Sequence, residues 1–452
     1  MRWRSDLGPV RPSASTSFRR TRRRTADLPA CAGSRRGRRP VGSPWPARPP
    51  PGRRQEVPIM EREAAIARSA EAIRLHSGHN ILIESGAEPV IDRLAGRDLL
   101  PPAAPAELSA WTFVVKDMID VAGLRTTRGS VLYGSEEALT TAPCVERLER
   151  AGALLVGKAN QHEFAWGVTS ENPHWGDVRN PRHAQLTPGG SSGGTAAALA
   201  AGIARFGLGT DTGGSVRIPA ACCGVVGLRP RVGVLPVEGV APVAPMFDVV
   251  GPMATSVADC ARVWRALSGA AVPPLDSLSG LVVGVAEGCA QAGEFAHLGA
   301  ELREIALPYD ILLPYWTIVG AQARRTHEAT YPRNAASYSA GVRRKLDDAA
   351  GIGHREYRRA VEELAAARAR FSAEMAGIDI LITPTLGGPA PRVGCDEAAV
   401  RGEVGRITAV VSALGLPALA IGDLQAVGRS EADVLRVGRC WEAAGGGIPA
   451  PC

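Results

Sequence analysis

The chain has 452 residues, 45% hydrophobic and 21% charged, which is enough for one large core and excludes a disordered or fibrous polymer. No run approaches the roughly 18 consecutive apolar residues of a membrane helix, so no membrane partner is expected. The net charge of +7 belongs to one end: residues 1–60 hold fifteen Arg against Asp6, Asp27 and Glu56, a balance of +12, which leaves the rest at about −5.

Nine cysteines, odd in number and without a CxxC pair, argue against a disulfide framework or a metal site and for a reducing, cytoplasmic location. The adjacent Cys222 and Cys223 read as small core residues. Lys116, Lys158 and Lys345 are the only lysines among 52 basic residues. Positions that stay Lys in so Arg-biased a chain are candidates for work Arg cannot do, such as giving up a proton near neutral pH.

Residues 1–59 are rich in Arg, Pro, Ser and Gly without periodicity and read as a disordered extension, or as sequence upstream of a start at Met60. Residues 60–446 read as a single domain and 447–452 as a tail. Residues 60–94 carry apolar positions at three- and four-residue steps and predict a helix. WTFVV (111–115) predicts a buried strand ending at Lys116. Residues 143–152 predict an amphipathic helix and 153–157 a second strand. FGLGT (206–210) reads as a strand, and SVADCARVWRAL (256–267) as a helix capped by Ser256. Strands are expected at 281–285, 379–385 and 417–421, helices through most of 312–376 and at 429–444. This alternation predicts an α/β fold: a large mixed, mostly parallel sheet with helices on both faces.

The chemistry concentrates in residues 187–230. Two Gly/Ser clusters, GGSSGG and TGGS, lie about two dozen residues apart, separated by an alanine-rich helix and a short strand. Gly on both sides of a serine allows a sharp turn and close approach of a ligand to the main chain. Strand ends and helix starts are where α/β proteins bind ligands. A serine is a poor nucleophile until a base takes its proton. No histidine lies near either cluster in sequence, the closest being His183, so a lysine base carries weight. Gly213 and Gly214 leave backbone N–H groups able to form an oxyanion hole.

PGGSSGG, GLGTDTGGSVRIPA and GVVGLRP, with VVKDMIDVAG upstream and AGALLVGKANQHEFAWG, FDVVGPMATSVADCA, DILITPT and GLPAL flanking them, resemble the amidase signature family of serine hydrolases. The likeness spans roughly residues 110–444. It implies that Ser215 is the nucleophile, that Ser191 follows a cis peptide after Gly190 and relays the proton, and that Lys116 is the base. It implies an oxyanion hole from the N–H groups of Thr212, Gly213, Gly214 and Ser215, and a supporting polar network of Ser192, Asp211 and Arg217. The implied activity is hydrolysis of a small-molecule carboxylic amide through an acyl-enzyme; no cofactor or metal is expected, a homodimer is admitted, and nucleic-acid binding through the Arg-rich N-terminal stretch stands only as a weaker alternative.

Other readings stand beside this one. The serines of GGSSGG could simply cap a helix. Gly189, Ser191 and Gly193 satisfy G-x-S-x-G, whose triad would need a later histidine such as His297, His327 or His354. Lys158 ends a strand much as Lys116 does, and the likeness leaves it structural. Asp211 and Arg217 could be an ordinary buried ion pair. His162, His174 and His183 read as polar loop residues, and the tryptophans between 166 and 175 as pocket lining or core. The chain could be a glutaminase-type A component of a tRNA-dependent amidotransferase, with partner chains. Its C-terminal segments are shortened, with only Gly422 and Asp423 between PALAI and LQAVGR, so a non-catalytic member is a further reading. Arg229 stands where the family usually has Lys, which reads as peripheral.

Overall fold

Side chains alternate along the strands and thereby set the layers of the protein. In β1 (Thr112–Lys116), Phe113 and Val115 join one buried cluster and Val114 another. The same alternation appears in β8 (Ile380–Pro384), where Ile380 and Ile382 face one way and Leu381 the other. The computed structural model describes residues 59–83, 106–289 and 292–447. The expectations for 1–58, for the helix beyond residue 83 and for 448–452 lie outside the described residues.

Ten strands form one sheet. β1 to β5 are Thr112–Lys116, Leu154–Ala159, Phe206–Asp211, Val226–Arg229 and Val249–Ala254, and β6 to β10 are Val282–Ala286, Glu301–Ile305, Ile380–Pro384, Ala418–Ile421 and Leu424–Val427. Their order is β2-β1-β3-β5-β4-β9-β10-β8-β6-β7. The sheet is mixed, as expected, but parallel pairing is confined to its two flanks. β2-β1-β3 and β8-β6-β7 are parallel, and the five pairings between them are antiparallel. The cause is local. A parallel pair needs a long crossover, whereas the two residues Gly422 and Asp423 join β9 to β10 as a hairpin, with Gly422 at φ +57°. The shortened connection is therefore a closed turn, and LQAV becomes a strand that the sequence pattern did not mark.

Helices α1 to α5 are Ile59–Leu75, Pro143–Arg150, Gly193–Ala200, Arg217–Cys223 and Val257–Ser268. Helices α6 to α9 are Ala292–His297, Leu312–Thr326, Tyr331–Asn334 and Ala340–Asp348, and α10 to α13 are His354–Glu374, Glu397–Val404, Arg406–Leu414 and Glu431–Ala443. The first helix is shorter than the periodicity suggested. It stops at Leu75, and Ser77–His79 continue as a 3-10 turn with Asn80 left-handed. Ser256 caps α5 as expected, accepting from the Asp259 N–H. None of the described helices is long and apolar enough to cross a membrane. Cys222 and Cys223 are buried, unpaired core residues.

Helix α3 sets the position of the first serine cluster. Its residues are small and all but the last are buried, so it approaches the sheet closely. A Cβ on Gly194 would lie 2.2 Å from the backbone oxygen of Asn160, just after β2, and one on Gly207 of β3 would lie 2.6 Å from the Thr195 methyl. This close approach fixes the residues that lead into α3. Because the obstacle at Gly194 is backbone, Gly194→Ala should cost about 3 kcal/mol. Urea unfolding would measure it, and an unchanged midpoint would contradict the close packing.

Candidate active site

The sequence folds so that two strand ends and two helix starts meet. Lys116 ends β1, Asp211 ends β3, Ser191 and Ser192 precede α3, and residues 212–216 lead from β3 into α4. The Gly190–Ser191 peptide is cis. The Ser191 carbonyl accepts from the His162 N–H at 3.2 Å and from the Ser170 hydroxyl at 3.3 Å.

Lys116 is fully buried. Its Nζ donates to Ser191 Oγ at 2.7 Å and to Thr210 Oγ1 at 2.9 Å. Burial pushes its pKa down to about 7, against the pull of Asp211 and Asp248. Lys158 is held differently: it lies inside β2, donates to the Ile119 carbonyl at 2.7 Å and to Thr126 at 2.8 Å, and sits 3.2 Å from Asp117. The hydroxyl nearest a base therefore faces a lysine, not one of the three histidines considered for a G-x-S-x-G elbow.

Ser215 is half-buried and lines a cleft of about 510 Å³ together with Thr212 and Gly213. Its carbonyl accepts from the Ser192 N–H at 3.2 Å, which ties the two Gly/Ser clusters together, and Ser192 Oγ donates to the Thr210 carbonyl at 3.3 Å. Ser215 Oγ makes no hydrogen bond to a described residue; the link between the two clusters is through the Ser215 carbonyl.

The turn that carries Ser215 is held by one carboxylate. Asp211 Oδ1 accepts from the Gly214 N–H at 2.9 Å, and Oδ2 from the Val216 N–H at 3.2 Å. This corrects the expected oxyanion hole. The Gly214 N–H is spent on Asp211, while those of Thr212, Gly213 and Ser215 have no acceptor among the described residues. Asp211 also binds Arg217 Nε at 3.0 Å and Arg229 Nη1 at 2.8 Å, with all three side chains fully buried. Burial alone would raise the Asp211 pKa; Arg217 and Arg229 outweigh it and hold the carboxyl well below the usual carboxylate range.

Arg229, read from sequence as peripheral, is thus central. It also donates to the carbonyls of Asp211 and Phe247. Arg217 reaches further, to Gln425 Oε1 at 2.9 Å, the Thr408 carbonyl at 3.0 Å and Ser412 Oγ at 2.7 Å. Sequence reasoning missed these last three because they lie about 200 residues downstream with no motif around them. It also missed Thr210, although that residue sits inside the GLGTDTGGS block.

Trp166 lines the cleft, whereas Trp175 faces a separate cavity beside α1. His162 is buried, and burial, with Lys345 nearby, lowers its pKa to about 4, which keeps it neutral. His174 sits 3.0 Å from Glu163.

These electrostatics can be tested at both charged centres. Asp211→Ala leaves two buried guanidinium groups facing each other and should cost about 3–5 kcal/mol in urea unfolding; an unaffected midpoint would refute the arrangement. The Lys116 pKa is depressed in the fold, so the charged form is disfavoured there. Its cost is therefore full below pH 7 and shrinks as pH rises toward the unfolded value of 10.5. Wild type should gain on Lys116→Met by up to about 1.4 kcal/mol per pH unit across that window. A pH-independent difference would mean that Lys116 titrates normally.

Known proteins share this architecture. A protein-family model described as Amidase matches residues 105–281. The A component of glutamyl-tRNA(Gln) amidotransferase from Synechococcus sp. (strain CC9605) is 33% identical over 387 residues, covering 73% of this chain and 78% of that protein. A crystal structure of an amidase superposes with a TM-score of 0.74 at 32% identity, over 85% of this chain and 96% of the other. The same amidotransferase component from Thermotoga maritima gives 0.73 at 26% identity, over 87% and 95%. With this identity over most of both chains and this structural likeness, the chain belongs to the amidase signature family.

Proposed function

We propose that the protein hydrolyses a carboxylic amide to acid and amine through Ser215, Ser191 and Lys116. The observation that carries this reading is the buried 2.7 Å contact between Lys116 and Ser191, with the lysine pKa near neutrality. A neutral amine can accept the Ser191 proton along that contact, and Ser191 can in turn accept one from Ser215. As these protons shift, Ser215 Oγ forms a bond to the amide carbon. The developing oxyanion would sit against the N–H groups of Thr212, Gly213 and Ser215. Collapse breaks the C–N bond, and Ser191 returns a proton to the departing nitrogen. Water then adds to the ester by the same relay in reverse, releasing the acid and restoring Ser215. Asp211, Arg217 and Ser192 hold the loops and touch no reacting atom.

A fluorophosphonate serine probe tests the assignment. It should label the protein, and labelling should be lost in Ser215→Ala and fall about 100- to 10,000-fold in rate in Lys116→Ala, both still folded by circular dichroism. Labelling that survives Ser215→Ala but not Ser191→Ala would move the nucleophile. kcat/KM should climb about tenfold per pH unit up to pH 7 and then level off, because the lysine must be unprotonated. A profile flat from pH 5 to 8 would exclude Lys116 as the base.

The names of the first relatives favour a second reading, the A component of a tRNA-dependent amidotransferase. Here the amide would be glutamine and the released ammonia would pass to a partner chain. Release of ammonia from glutamine, together with stable association with partner chains, would support it.

A further inference from the structure

The cleft carries a cation that the proposed reaction does not use. Arg401 lines it from the last turn of α11 and is half-buried. Its guanidinium has no hydrogen bond or ion pair among the described residues. The acid best placed to neutralise it is Glu397, one turn earlier on the same helix, but that carboxylate is taken. Lys345 lies 3.1 Å from it, and the two side chains are only 5% and 13% exposed. Lys345 also donates to the Trp166 carbonyl. Asp348 and Glu356 line the same cleft, but both are solvent-exposed and neither is within ion-pair distance of Arg401. In water their charges are screened and do little for a guanidinium inside the cleft. The interior of this end therefore holds two cations, Lys345 and Arg401, against one carboxylate, Glu397.

The position of Arg401 relative to Ser215 is set by the chain. Thr408 Oγ1 donates to the Gly213 carbonyl at 2.8 Å, so the start of α12 touches the loop that carries Ser215. Arg401 lies seven residues earlier, on α11, across the break at Gly405 that separates it from α12. The lining of the same cleft includes the apolar side chains of Ile218, Trp316, Val319 and Ile352.

We propose that Arg401 binds a carboxylate at the far end of the acyl group, so that the cleft takes monoamides of dicarboxylic acids, with an apolar chain between the amide and the carboxylate. This rests on the amide-hydrolysis reading for its chemistry, though the anion site itself does not need turnover. Arg401 selects the substrate and touches none of the reacting atoms.

The test uses the full chain, with glutaramic, adipamic and suberamic acids set against hexanamide. Wild type should prefer the carboxylate-bearing amides. Arg401→Leu should lower the ratio of kcat/KM for adipamic acid over hexanamide by about 10- to 100-fold, and Arg401→Lys should restore part of it. An unchanged ratio in Arg401→Leu, or a wild type that prefers hexanamide, overturns the proposal. Calorimetric titration with adipate reads the same site without catalysis. Adipate that binds wild type, and binds Arg401→Leu at least tenfold more weakly, supports the site even if no amide is hydrolysed and the catalytic reading fails. No adipate binding to wild type overturns the site whether or not hexanamide is cleaved.

Discussion

The structure of this site depends on one buried carboxylate. Asp211 accepts from two backbone N–H groups of the turn that carries Ser215 and from two buried arginines. Five N–H donors from four residues on one carboxylate explain why it remains ionised where burial alone would neutralise it. Through Arg217 the same carboxylate is linked to α12 and β10, and through Arg229 to β4 and the Phe247 carbonyl. A turn that would otherwise be mobile, being rich in glycine, is thereby made part of the sheet's interior.

That arrangement matters for the neighbouring Lys116. Lys116 is buried without a carboxylate in contact, bonded only to two hydroxyls. Desolvation therefore dominates its titration, which makes it usable as a proton acceptor near neutral pH. Lys158, almost as deeply buried, lies against Asp117 and so keeps the partner of an ordinary structural lysine. Both lysines belong to adjacent strands, and the difference between them is whether a carboxylate stands within reach.

The cleft joins distant parts of the chain. Residues of the Gly/Ser turn form one wall and residues of α7, α9 and α11 form another. The first wall lies within the stretch that matches the Amidase family model, and the second lies beyond residue 281, where that match ends. There Lys345 pairs with Glu397, and Arg401 makes no hydrogen bond or ion pair among the described residues.

The sequence by itself determined the chemistry-bearing block and the main helices and strands, and its resemblance to the amidase signature family singled out Lys116, Ser191 and Ser215 as the residues to watch. These were legible because short-range periodicity and glycine placement are local properties, and because the block's motifs occur in order. Tertiary structure alone decided the antiparallel centre of the sheet, since register depends on which strands meet rather than on their own composition. It alone placed Arg229 at the centre of the network, because nothing local marks which of 49 arginines is buried. It also removed the Gly214 N–H from the expected oxyanion hole, since the direction of a backbone donor is fixed by its acceptor. Thr408, Ser412 and Gln425 reach Arg217 from about 200 residues away, and such contacts exist only once the sheet has brought distant strands and helices together.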